Sequence, residues 1–235
     1  MSSRDLVRRL KSATNKLEHA ARWRGSRHEV DAANDHYVYE LLCYFSIALA
    51  AGQKFETEIV AVKRFGKLGA YWPRSHGHKA NFSYIRLNSK QAKPLFELCP
   101  GIEILDLNDK ARSPDVNLLR AGGSATPGSK DLHAIWDAKY IYDPSKRLSD
   151  KDVADFAYTY EELGAPKAPP SWTQLVTNAE LKHSGLLTNG DFSTERDAAL
   201  SKRGICETKN FPHSPQTRPP GQLQISLASK NKRRA

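Results

Sequence analysis

Asp115, Asp137 and Lys139 are the residues of this chain whose types and spacing point to chemistry. Asp115 opens one apolar, strand-like run, Ser113-Pro114-Asp115-Val116-Asn117-Leu118-Leu119. Asp137 and Lys139 close another, Ala134-Ile135-Trp136-Asp137-Ala138-Lys139-Tyr140. Side chains alternate faces along a strand, so Asp137 and Lys139 point one way while Ala138 packs on the opposite surface. The stretch between, residues 120–130, is rich in Gly, Ser, Thr and Pro, as a loop joining two strands is. If the two runs pair as neighbours, Asp115 lies beside Asp137 and Lys139. Carboxylates converging in this way suit a hard divalent cation, and a nearby lysine orients or deprotonates a water.

The tripeptide Asp/Glu-x-Lys alone is a weak signal, since short motifs recur by chance. It also occurs at Glu180-Leu181-Lys182 and Glu207-Thr208-Lys209. Only the copy at Asp137 follows a Pro-Asp within the reach of a hairpin and ends a hydrophobic run.

The elements that must position these residues can be read around them. Residues 34–51 spell a mostly buried helix, with Asn34 as N-cap and Gly52 just past its end. Glu40 is the one acid amid its apolar residues, either on a narrow solvent stripe or turned toward the carboxylates. An amphipathic helix is expected over 149–163, with Tyr158 near the site or packed on the sheet. A strand at 185–188, a helix at 192–203 and a strand at 205–209 follow. Residues 54–62 are read as the first core strand, and about 63–110 as a β-rich insertion. Strands interleaved with helices predict an α/β domain with a mixed central sheet.

Taken in this order, the Pro-Asp and Asp-x-Lys runs resemble the PD-(D/E)XK, or restriction-endonuclease-like, nuclease superfamily. The wording Tyr39-Glu40-Leu41-Leu42-Cys43-Tyr44-Phe45 and Asp137-Ala138-Lys139-Tyr140 resembles McrC-type restriction families. The strand–helix–strand of 185–208 resembles the end of Mrr-type domains. The resemblance implies a three-layer α/β/α core over 31–209. It further implies metal-dependent hydrolysis of DNA phosphodiesters, with Asp115, Asp137, Glu40 and the carbonyl of Ala138 around Mg²⁺ (Mn²⁺ may substitute). Lys139 would position the attacking water, with its pKa lowered only on substantial desolvation. The products would be a 5′-phosphate and a 3′-hydroxyl. A role in restriction or phage defence follows from family habit, as does a homodimer or a place in a multi-protein defence complex.

Composition agrees with such a partner. The 235 residues carry a formal net charge of +10, which favours nucleic acid, an anionic membrane or an acidic protein. No apolar stretch is long enough to span a bilayer, and no signal-peptide pattern is present, so a cytoplasmic protein is expected. Cys43, Cys99 and Cys206 are widely spaced and read as free thiols.

The charge has a pattern. Lys63, Arg64, Lys67, Trp72, Arg74, His78, Lys79 and Arg86 interleave with Tyr71, Phe82 and Tyr84, as in a phosphate-tracking loop whose rings stack on bases. His76-Gly77-His78 lacks the nearby Cys or carboxylate of a zinc site. Residues 1–30 form a basic N-terminal helix, and 210–235 a Pro-rich, loosely ordered basic tail. Two other functions fit these residues: a catalytically silent nucleic-acid-binding module, and a nuclease acting on RNA or single strands.

Overall fold

The two runs that carry Asp115 and Asp137 form adjacent antiparallel strands. These are β7 (Val116–Arg120) and β8 (Leu132–Lys139), in the register Val116 opposite Trp136 and Asn117 opposite Ile135. The computed structural model describes residues 5, 8–10, 12, 35–64, 67–73, 75–143, 145–191, 200, 203–209, 211–212 and 225–229. Val116, Leu118, Leu119, Ala134, Ile135 and Trp136 are all buried, as expected for inner strands covered on both faces.

Around this hairpin runs a mixed sheet. Its other strands are β1 (Glu56–Arg64), β2 (Lys67–Gly69), β3 (Tyr84–Asn88), β4 (Pro94–Pro100), β9 (Gly185–Thr188), β10 (Cys206–Thr208) and β11 (Ile225–Ser229). The order is β10-β9-β8-β7-β4-β3-β1-β11, with β2 hairpinned onto β1. Strands β8, β9 and β10 are mutually parallel, the β8-β7-β4-β3-β1 stretch is antiparallel, and β11 lies parallel to β1. A separate ribbon pairs β5 (Ile104–Leu105) with β6 (Ala111–Arg112). The fold is α/β with a mixed central sheet, as the sequence indicated.

Helix α1 (Asp35–Ala51) covers one face, where Ile85, Leu98, Val116, Leu118, Trp136 and Ala138 join its Leu42, Phe45 and Ile47 in one core. Leu10, Trp172, Val176 and Leu181 belong to the same core. Helix α2 (Asp150–Glu162) lays Phe156, Ala157 and Tyr160 against Tyr84, Cys99, Leu119, Ile135 and Leu186, the alternate residues of the same strands. Ser149 caps α2 by accepting from the Asp152 amide at 3.1 Å, and Gly164, with φ +78°, ends it. A short helical turn, α3 (Pro170–Thr173), seats Trp172 among Phe55, Phe96 and Trp136.

The strand expected at 54–62 is present as β1, with β4 and β3 between it and β7. The supposed insertion at 63–110 supplies β3 and β4, two inner strands of the sheet. The tail is likewise not wholly loose, since Ile225–Ser229 pairs with Thr57–Ala61. Most of the N-terminal helix and of the helix at 192–203 lies outside the described residues, as does the Asn34 cap. Within them, residues 5, 8–10, 12 and 200 are helical, and Leu10 and Leu200 are buried. Cys43 and Cys99 are buried free thiols and Cys206 is a half-buried one.

Candidate active site

Asp115 stands at the point where the chain enters β7. Its carbonyl accepts from the Gly101 amide at 2.8 Å, and the Asn117 side chain donates to the Pro114 carbonyl at 3.0 Å. Gly101 has φ +40°, a conformation that favours glycine, and a Cβ there would come within 3.3 Å of Pro73 Cγ. The backbone carrying Asp115 is therefore fixed from both sides. Its carboxylate accepts from the Ala138 amide at 2.7 Å, which ties it to the strand bearing Asp137 and Lys139.

The end of β8 is held as firmly. Thr188 Oγ1 donates to the Lys139 carbonyl at 2.9 Å, and it accepts from the Gly190 amide at 3.1 Å. Continuing the β7–β8 register places Asp115 opposite Asp137, so that the charge of each carboxyl is felt by the other. Lys139 Nζ lies 2.7 Å from Asp137 Oδ2. Glu40, on α1, faces the same cluster and senses the charges of Asp137 and Lys139.

Three carboxyls and one ammonium cluster at half-buried positions, and the titration of Glu40, Asp115 and Lys139 reflects it. Burial, then the charge of Asp137, pushes Glu40 up to about 7. Burial, then Asp137 and Glu40, pushes Asp115 well above the usual carboxylate range. Burial works against the Lys139 ammonium, but the adjoining Asp137 carboxylate outweighs it and holds the lysine above its ordinary value. Lys139 is thus a fixed cation, not the pKa-lowered lysine that desolvation alone would give. Adjacent carboxyls disfavour joint ionisation unless a proton or a cation offsets their charge. Carboxylate oxygens suit a hard divalent ion by type, but among the described residues no three His, Cys, Asp or Glu side chains are already gathered as a metal site.

Two clefts open onto the cluster. One is lined by Arg112, Ser113, Asp137, Lys139, Asp155 and Thr159. The other is lined by Tyr37, Glu40, Ser75, His76, Gly101 and Asp115. No protein-family model, curated protein or solved structure matches this chain.

The expected nucleic-acid contacts fare unevenly. Trp72 is 3% exposed and packs edge-to-face on Phe45 at 5.2 Å, so it belongs to the core. Lys79 is buried in an ion pair with Glu97, and Arg86 pairs with Glu58 at 3.1 Å, which removes both from the expected phosphate-binding set. Phe82 and Tyr84 are also buried. Lys63 is exposed, and so is His78, whose Nδ1 lies 3.7 Å from Glu103. The side chains of Arg64, Lys67 and Arg74 lie outside the described residues. Tyr158 neither packs on the sheet nor lines the cleft. It is 54% exposed, with the Arg112 guanidinium 5.3 Å from its ring centre.

Sequence reasoning did not single out Arg112, Asp155, Thr159 and Ser75. The signal for two of them was available: Asp152, Asp155 and Thr159 fall at helical spacing along one polar stripe of α2. Arg112 is committed to Asp106 at 2.9 Å and Glu162 at 3.3 Å, and so shapes the cleft wall. The other Asp/Glu-x-Lys copies sit elsewhere, in a 3-10 turn at Ala179–Leu181 and on β10.

Proposed function

We propose that this chain is a metal-dependent endonuclease that hydrolyses phosphodiester bonds of DNA. The reading is carried by one observation: Asp115, tied to β8 by the Ala138 amide at 2.7 Å, falls opposite Asp137 with the Lys139 ammonium 2.7 Å from Asp137. The order of α1 bearing Glu40, β7 after Asp115, β8 bearing Asp137 and Lys139, then α2, supports the resemblance to the PD-(D/E)XK superfamily. The formal charge of +10 supports a polyanionic substrate.

Asp115, Asp137 and Glu40 would hold Mg²⁺, or Mn²⁺ in its place, with the Ala138 carbonyl. A divalent ion there supplies Lewis-acid stabilisation of the phosphoryl charge. Lys139, fixed by Asp137, places a positive charge against the non-bridging phosphate oxygens as they gain negative charge. The metal-holding carboxylates and Lys139 would position the attacking water, whose proton passes to solvent. The water oxygen bonds to phosphorus and the bond to the 3′ oxygen breaks. The departing oxygen takes a proton from solvent, leaving a 5′-phosphate and a 3′-hydroxyl.

The test is a panel of supercoiled plasmid, linear duplex, single-stranded DNA and RNA, incubated with EDTA, Mg²⁺ or Mn²⁺. Cutting of DNA that needs the metal and disappears in Asp137→Asn is the expected result. DNA binding without cutting under every metal condition would instead indicate a silent binding module.

A further inference from the structure

The rings expected to stack on bases are in the core, but another aromatic group is exposed beside the site. Tyr142, three residues beyond Lys139, is 68% exposed. Its ring meets Tyr140 at 5.1 Å and His36 at 5.5 Å, both nearly edge-to-face, and His36 meets Tyr140 at 5.7 Å. A backbone of three residues reaches at most about 11 Å, so the Tyr142 and Lys139 backbones stay within roughly one or two nucleotides of each other. His36 lies one helical turn before Glu40, so the ring cluster adjoins both elements that build the carboxylate site.

Hydrogen bonds hold the described residues of the turn that presents Tyr142. The Asn189 side chain clamps Ile141 from both sides, accepting from its amide at 2.7 Å and donating to its carbonyl at 2.8 Å. Asp143 caps the turn by accepting from the Ser145 amide at 3.1 Å and the Ser145 hydroxyl at 2.6 Å. The Leu148 amide closes it onto the Asp191 carbonyl at 3.1 Å. A Cβ at Gly190 would lie 2.5 Å from Ile141 Cδ1 and 3.0 Å from the Lys146 carbonyl oxygen, so a side chain there would crowd this turn. Lys146 and Arg147 are exposed on the same turn.

An exposed large ring, braced by two others and flanked by exposed cations on a hydrogen-bonded turn, has the chemistry of a base-stacking and phosphate-binding surface. Preorganisation lowers the entropy lost when a base docks. We propose that Tyr142, backed by Tyr140 and His36, is a stacking platform for an unpaired nucleobase, with Lys146 and Arg147 on the adjoining phosphates. The strand entering the site is then single-stranded at the cut. This rests on the nuclease reading for the identity of the substrate, while the binding surface itself does not depend on turnover.

The experiment is fluorescence anisotropy in EDTA with labelled oligothymidylate, oligouridylate and a hairpin duplex. The proteins are the wild type, Tyr142→Ala, Tyr142→Phe and the Lys146→Ala/Arg147→Ala pair. Tyr142→Ala should bind unpaired strands about tenfold more weakly or worse, with Tyr142→Phe and all duplex binding within about twofold of wild type. The double charge variant should show a shallower salt dependence. The two oligonucleotides decide whether the unpaired strand is DNA or RNA. Equal binding by Tyr142→Ala, an equal loss in Tyr142→Phe, or no binding of unpaired strands by the wild type overturns the platform. Metal-dependent cutting that persists alongside any of these leaves the nuclease intact. Binding that depends on Tyr142 without any cutting leaves the platform and removes the nuclease.

Discussion

The amide of Ala138 donates to Asp115 Oδ2 at 2.7 Å, and this bond joins the acid that precedes β7 to the strand that carries Asp137 and Lys139. Ala138 itself faces the α1 core, so its packing sets the height at which its neighbours present their charges to the opposite side. A backbone donor also leaves the other Asp115 oxygen for Asp137 and for a cation. The site is therefore built by strand register, and a one-residue slip would send Asp137 and Lys139 to the wrong face.

Asp137→Asn and Lys139→Ala should each lower cleavage by at least about a hundredfold, the range for losing a group aimed at transition-state charge. Both should keep DNA affinity, since neither contributes to the exposed cations of the 142–147 turn. Gel-shift and cleavage assays on the same preparations separate the two effects. Wild-type cutting by either variant would contradict the roles given to them.

The carboxyl cluster makes stability depend on pH. Glu40 titrates at about 7 in the fold against an ordinary 4.5, so across that interval the folded chain holds a proton that the unfolded chain has released. Stability of the cation-free protein thus falls as pH rises from about 4.5 to about 7, and Asp115, raised in the same direction, adds to the fall. Melting curves in EDTA should show the decline, and Glu40→Gln should flatten it. Mg²⁺ should raise the melting temperature more above about pH 7 than below it, because protons compete for the same oxygens. A pH-independent melting temperature in EDTA would contradict the account.

Trp72→Ala should destabilise the protein by about 3–5 kcal/mol, the usual penalty for emptying a buried aromatic site. It should leave the affinity of the folded fraction for DNA unchanged. Denaturant melts and anisotropy check the two halves. A large loss of affinity at unchanged stability would restore the sequence-based view of Trp72 as a stacking residue.

The hairpin of β7 and β8 and the helix that carries Glu40 were legible in the sequence because local patterns determine them, while the side to which Glu40 turns was left open. An acid at each apolar run's end, a Gly- and Ser-rich link and helical spacing around Glu40 are properties of short segments. The inner position of β3 and β4 was not legible. Tyr84-Ile85-Arg86-Leu87-Asn88 alternates as a strand, yet which strand it joins is settled by long-range packing. Trp72 and Lys79 misled for a related reason. A ring or an ammonium set among basic residues looks exposed until its partners, Phe45 and Glu97, arrive from distant elements. The platform at Tyr142 had no sequence signature, because His36 joins it from more than a hundred residues away.

The Lys79–Glu97 pair offers a test of that packing. Both side chains are nearly inaccessible, and Glu97 also accepts from the Gly122 amide at 3.2 Å. Lys79→Ala should cost about 3–5 kcal/mol by stranding a buried carboxylate, while Lys79→Met with Glu97→Leu should recover much of the loss. Urea melts of the three proteins give the comparison. A neutral Lys79→Ala would place Lys79 back at the surface.

The most direct test of the central claim is cleavage of supercoiled plasmid by wild type and Asp137→Asn in EDTA and in Mg²⁺, with circular dichroism confirming that both are folded. The account predicts nicked or linear product only for the wild type and only with Mg²⁺. Equal product from Asp137→Asn, or cutting by the wild type in EDTA, would contradict it.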